Sequence, residues 1–83
     1  MTKEEYYNAL NRRVISEYKD IVKYFALYEE ATGIDKGVLR DIIKEERSHA
    51  KHLEYILQAV GKLDDNEEYQ EIKEQALECL EDL

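Results

Sequence analysis

The sequence predicts an all-α fold, an antiparallel helical hairpin followed by a shorter third helix, and three observations carry that prediction. Proline is absent, charged residues make up 39% of the chain, and apolar residues recur at alternating steps of three and four, the spacing that lines one face of an α-helix. The expected helices cover about residues 3–32, 36–60 and 66–82 of a single domain, residues 1–83.

The first helix opens behind Thr2, whose hydroxyl can accept a backbone hydrogen bond while Glu5 reaches back, and Gly33 offers the left-handed conformation that ends a helix. Its seam runs Tyr7, Leu10, Val14, Glu17, Ile21, Tyr24, Tyr28, Ala31, so one member is a carboxylate. Asp35 is the expected cap of the second helix, whose seam reads Leu39, Ile42, Glu46, His49, Leu53, Ile56, Val60. The gap between Gly33 and Asp35 is short enough to force the two helices antiparallel. The third helix should start near Asp64 and Asp65, with Glu67 or Glu68 completing the cap. Its weak seam of Tyr69, Ile72, Ala76, Cys79 or Leu80, and Leu83 suits an accessory element or an oligomer contact.

A second stripe, Ile15, Tyr18, Val22 and Phe25, lies beside the first on the opening helix, and Ile43, Ala50 and Leu57 widen the stripe on the second. One hairpin cannot cover all of this surface, so two copies are expected to pair as a four-helix bundle, a homodimer or a higher homo-oligomer. Chain size points the same way. At 83 residues with a lone cysteine, Cys79, and no Cys/His pattern of the zinc-finger type, neither disulfides nor structural zinc can supplement a small core. Self-association or a carboxylate-bound metal remains.

The opening MTKEEYYNAL lacks a basic start and an apolar run, and no stretch is long and apolar enough for a bilayer, so a soluble cytoplasmic protein is expected, with no membrane partner. Twelve basic against 20 acidic residues give a net charge of −8, the wrong sign for gripping phosphate backbones, which argues against nucleic acid.

Burying an ionised carboxylate without a partner costs several kcal/mol. A glutamate in an aliphatic seam therefore has to be neutralised, paired or metal-bound, and Glu17, Glu46 and His49 all fall in phase with aliphatic neighbours. Three residues apart, Glu46 and His49 can present an oxygen and an imidazole nitrogen to one ion. Bundle-type di-iron and di-manganese proteins use one Glu from each of two helices and a Glu-x-x-His pair from each of two others, a set that two copies of this chain would complete. Oxygen-rich ligation with one imidazole suits Fe(II) or Mn(II). Folding the hairpin about residues 34 and 35 puts Glu17 about one turn beyond the level of Glu46 and His49, on a rise of ~1.5 Å per residue. Asp20, closer in level but on the flank, is the fallback ligand. The competing reading is a non-catalytic oligomer or adaptor in which the three side chains form a buried polar network that fixes the pairing register.

The segment IIKEERSHAKHLEYIL, residues 42–57, resembles the Glu-x-x-His-Ala helix of the rubrerythrin branch of the ferritin-like proteins. Glu17, followed seven residues later by Tyr24, Phe25 and Ala26, resembles their first ligand helix. With two ligand helices rather than four, the chain is similar to the half-size encapsulated ferritins, over roughly residues 10–60. That resemblance implies a ferritin-like four-helix bundle formed by two chains, with Glu17, Glu46 and His49 as ligands of a di-iron ferroxidase centre. It also implies Tyr24 as a nearby aromatic, iron oxidation and storage as the activity, and an encapsulin shell as a partner. Two departures bear on this: no rubredoxin-like Cys-x-x-Cys supports the alternative activity of peroxide reduction, and the ending ALECLEDL lacks the Gly-containing apolar tail that directs cargo into a shell.

Of the remaining residues, His52 is expected to be a partly exposed helix histidine and Cys79 a small apolar filler. The seven tyrosines are expected to pack, with Tyr24 placed to donate to a metal-bound carboxylate. Residues 64–68 lack the ligand spacing and central glycine of a calcium loop.

Overall fold

A computed structural model describes all of residues 1–83 as three helices, α1 (Lys3–Glu30), α2 (Gly33–Ala59) and α3 (Glu67–Glu81). α1 opens as its sequence dictates. Thr2 Oγ1 accepts from the Glu5 amide at 3.1 Å and Glu5 Oε1 accepts from the Thr2 amide at 2.9 Å, which satisfies two of the free donors at the helix start.

The turn differs from the sequence expectation in a way that sets the register of the hairpin. Only Ala31 and Thr32 separate α1 from α2. Gly33 does not close α1; it is the first residue of α2 and takes φ +60°, a conformation that glycine enters without steric cost. Asp35 is likewise no cap but lies inside the first turn, where its charge meets the positive end of the helix dipole, and Thr32 precedes the helix without a side-chain cap bond. The fold point therefore sits at residues 31 and 32. Glu17 is fourteen residues before Ala31 and Glu46 fourteen after Thr32, so the two carboxylates share a level.

α3 is not accessory. Asn66, rather than Asp64 or Asp65, caps it by accepting from the Tyr69 amide at 2.9 Å. Asn11 of α1 pins the preceding loop, accepting from the Asp64 amide at 2.8 Å and donating to the Lys62 carbonyl at 3.0 Å. Thus anchored, α3 lays Tyr69 and Ala76 into the core against the second stripe of α1, where Tyr18 and Phe25 are buried and Ile15 and Val22 pack beside them. The apolar surface assigned from sequence to a second copy is covered here by the chain's own third helix.

That arrangement also fixes which way α2 faces. Its core stripe is Ile43, Ala50, Glu54 and Leu57, set against Val14 and Ile21 of α1. The seam expected from sequence is turned toward the rim, with Leu39, Ile42, Glu46 and Leu53 half-buried and His49, Ile56 and Val60 exposed. Neighbouring stripes differ by one residue, or ~100° around the helix, and both are apolar. Periodicity does not choose between them; on the covered side Glu54 meets Tyr69 and Lys73 of α3. No helix is long and apolar enough to cross a membrane.

Candidate metal centre

The two-residue turn brings Glu17 of α1 level with Glu46 of α2, and the helical step of three puts His49 one turn further on the same edge. One ligand atom from each lies within 4.8 Å of the others, two carboxylate oxygens and an imidazole nitrogen. His49 Nδ1 stands 3.7 Å from Glu17 Oε2. Burial is graded across the group. Glu17 is buried, Glu46 half-buried, and the His49 side chain 56% exposed, so the cluster opens to the surface along the rim of the hairpin.

Glu17 divides its two oxygens between different tasks. Oε1 accepts from Arg13 Nη2 at 2.5 Å one turn earlier on α1, a charge-assisted bond that compensates part of the cost of burial. Oε2 is buried with no hydrogen-bond partner and faces the other two ligand atoms. Glu46 responds to the crowding. The neighbouring Glu17 carboxylate pushes it up to about 7, burial and the charge of Asp20 add to the shift, and Arg13 opposes it. Two carboxylates this close cannot both stay ionised cheaply unless a cation stands between them.

The donor set fits such a cation. Carboxylate oxygens and an imidazole that could hold a metal ion are present, the orphaned oxygen is one of them, and the exposed side leaves room for further ligands. Among the residues singled out from sequence, Glu17, Glu46 and His49 come together, without the one-turn offset expected for Glu17. Asp20 is not in the group and acts on Glu46 only through its charge. Tyr24 packs half-buried against the core and hydrogen-bonds none of the three, and His52 is exposed elsewhere on α2.

A second buried carboxylate, Glu54, lies outside the residues that the sequence singles out. Glu54 Oε1 accepts from the Tyr18 hydroxyl at 2.8 Å, and Oε2 accepts from the Tyr69 hydroxyl and from Lys73 Nζ, the latter at 3.0 Å. Lys73 also donates to the Tyr69 oxygen at 3.1 Å. Side chains lean toward the N-terminus of their own helix, so Tyr18 and Glu54 on antiparallel helices reach toward each other. Burial works to raise the Glu54 carboxyl, but the bonds from Tyr69, Lys73 and Tyr18 outweigh it and hold the group below its usual range. Tyr18 and Tyr69 are pushed up, first by burial and then by their bonds to Glu54. Burial works to lower Lys73, but its bonds to Glu54 and Tyr69 prevail and raise it. The signal was legible: Glu54 stands four residues after Ala50 and three before Leu57, in phase with the core stripe.

No family model, no curated protein and no solved structure matches this chain.

Proposed function

We propose that the chain is a half-site of a di-iron carboxylate protein with ferroxidase activity, in which two copies meet along the exposed α1–α2 rim and pool two sets of Glu17, Glu46 and His49. The observation that carries this reading is the buried Oε2 of Glu17, left without a hydrogen-bond partner beside a second carboxylate and an imidazole. An orphaned, buried carboxylate oxygen is costly, and a cation is the partner that also relieves Glu46. Exposed apolar side chains on both helices of the hairpin, Leu27 at 55%, Val38 at 52%, Ile56 at 42% and Val60 at 49%, supply surface for a second copy to cover.

The chemistry supplied by bound iron is oxidation of two ferrous ions by one electron each, with dioxygen taking both electrons and two protons and leaving as hydrogen peroxide. The residues prepare for it separately. Arg13 holds one oxygen of Glu17 and so fixes the direction of the other. Glu46, half-buried and free of any such clamp, can swing as charge in the site changes. The half-exposed His49 leaves an entry path from solvent.

Mass measurement under native conditions, with and without Fe(II), tests the reading. A dimer carrying two irons is expected, with iron lost in Glu46→Ala and in Glu17→Ala. Stoichiometric iron retained by either variant rules that residue out as a ligand. A dimer that never takes up metal favours the alternative, a polar network fixing the register of a non-catalytic oligomer.

A further inference from the structure

The chain is acidic overall, yet its charges are segregated by helix. On α2, Lys36, Arg40, Lys44, Arg47 and Lys51 follow one another at steps of four, four, three and four, so they share one edge of the helix. This edge lies on the far side of the Ile43, Ala50 and Leu57 core stripe from Glu46 and His49. On α3, Glu67, Glu71, Glu74, Glu78 and Glu81 follow at steps of four, three, four and three along the face turned away from the buried Tyr69 and Ala76, and all five are exposed.

Neither row is neutralised within the chain. The ion pairs join Arg13 to Glu17, Lys19 to Glu68, His49 to Glu17 and Lys73 to Glu54, and none uses a member of either row. Lys36 and Arg40 lean on Tyr28, through its carbonyl and its hydroxyl, whereas Lys44, Arg47 and Lys51 stand exposed without a charged partner. The rows also match in length, ~22 Å for the basic one and ~21 Å for the acidic one at ~1.5 Å per residue. Read from Lys51 back to Lys36, the basic steps become four, three, four, four, which follow the acidic steps from Glu67 in all but the last.

We infer that the basic edge of α2 docks against the acidic outer face of α3 of a second copy, with the two helices antiparallel. Spacing and sign complement each other row against row, which a solvated charge run does not require. A network of alternating pairs gains more than the isolated surface pair, whose contribution is small. The ion pairs of α3, Lys19 with Glu68 and Lys73 with Glu54, tie it to its own chain and use no member of the outer row, which leaves that row to a partner. The contact does not rest on the metal reading. It uses the opposite edge of α2, so a copy paired through one edge can still pair through the other.

Charge reversal tests it with the whole chain. One variant carries Lys44→Glu, Arg47→Glu and Lys51→Glu; a second carries Glu71→Lys, Glu74→Lys and Glu78→Lys. Sedimentation velocity, with chelator and again with Fe(II), is run at about 0.05 M and about 0.5 M salt, where screening lengths differ severalfold. The natural chain is expected to self-associate in a salt-sensitive manner. Each reversed variant should associate at least about tenfold more weakly, and an equimolar mixture of the two should regain association, because every reversed row then meets one of opposite sign. The mixture guards against misfolding, since variants that fail to fold cannot rescue each other. The inference is overturned by a natural chain that shows no salt-sensitive association. It is equally overturned if both reversals keep the natural association, if the folded variants do not rescue each other, or if the basic edge binds a polyanion such as heparin while the chain stays monomeric. Loss of iron-dependent pairing alone would count against the metal reading and leave this contact standing.

Discussion

Two glutamates are buried in this hairpin to almost the same degree, Glu17 at 5% and Glu54 at 6% exposure, and they meet opposite fates. Glu54 is surrounded by three donors from two other helices, Tyr18 of α1 and Tyr69 and Lys73 of α3 converging on its two oxygens. Glu17 has one donor, Arg13, and its other oxygen is directed at a second acid and an imidazole. A buried carboxylate with a full set of donors ties elements together. One that lacks a partner and has a second carboxylate beside it could hold a cation. Burial alone does not separate these roles; the account of each oxygen does.

The largest expected effect lies on the satisfied side. Glu54→Ala strands two tyrosine hydroxyls and an ammonium in a space that only Glu54 reconciles, and should cost about 3 kcal/mol in urea unfolding. The chain's third helix should loosen first, as faster amide exchange across residues 67–81. Glu17→Gln breaks the comparison from the other side. It keeps the shape of the side chain and removes the repulsion with Glu46 at the expense of the charge-assisted bond from Arg13, so the metal-free protein should change by less than about 1 kcal/mol. Iron uptake, measured by equilibrium dialysis, should nevertheless fall at least about tenfold, because an amide oxygen is a far weaker ligand than a carboxylate. Equal stability losses in the two variants would erase the distinction.

Much of this contrast could be read in the sequence, and the part that could not has a definite physical cause. The three helices, the Thr2 cap and the grouping of Glu17, Glu46 and His49 follow from local spacing, which a single chain records directly. Asp35 has the chemistry of a cap but lies inside the first turn of α2, so the fold point is three residues earlier than a cap there implies and Glu17 sits level with Glu46. The facing of α2 is not legible because Ile42 and Ile43, Leu53 and Glu54, Ile56 and Leu57 offer two adjacent stripes, and periodicity ranks residues within a stripe without saying which stripe is covered. That decision belongs to α3, whose contacts with α1 are distant in sequence. Glu54 is in phase with the covered stripe, so its burial is legible once that stripe is known, whereas its donors, fifteen to thirty-six residues away, are not.

The pH response sharpens the comparison, because the two sites lean in opposite directions. Glu54 titrates lower in the folded chain than the ordinary value of 4.5. The folded state therefore binds fewer protons there, and its contribution is present above about pH 4.5 and lost as pH falls through the lowered value. Glu46 titrates at about 7 when folded against 4.5 ordinarily, so the folded state binds more protons and stability falls as pH rises from 4.5 toward 7. In chelated protein the urea midpoint should thus decline on both sides of about pH 4.5 to 5. Glu46→Gln should abolish the decline toward neutrality and keep the acid-side loss. A midpoint that rises steadily from pH 5 to 7 in the natural chain would contradict the crowding of Glu46 by Glu17.

The smallest effect tests whether the Glu54 cluster acts as a unit. Tyr18 contributes one hydroxyl to Oε1, while Tyr69 lies between Glu54 and Lys73 and serves both. Tyr18→Phe removes a single bond and leaves the carboxylate paired with Lys73, so it should cost about 1 kcal/mol and leave the acid-side titration in place. Tyr69→Phe removes a donor to Glu54 and an acceptor from Lys73 together and should cost more, though less than Glu54→Ala. The double variant then decides the matter. If the network is cooperative, removing both hydroxyls costs more than the two single losses added, because Lys73 is left as the only donor to a buried charge. If the losses simply add, Glu54 is held by independent bonds, and its contrast with Glu17 reduces to the number of donors each one has.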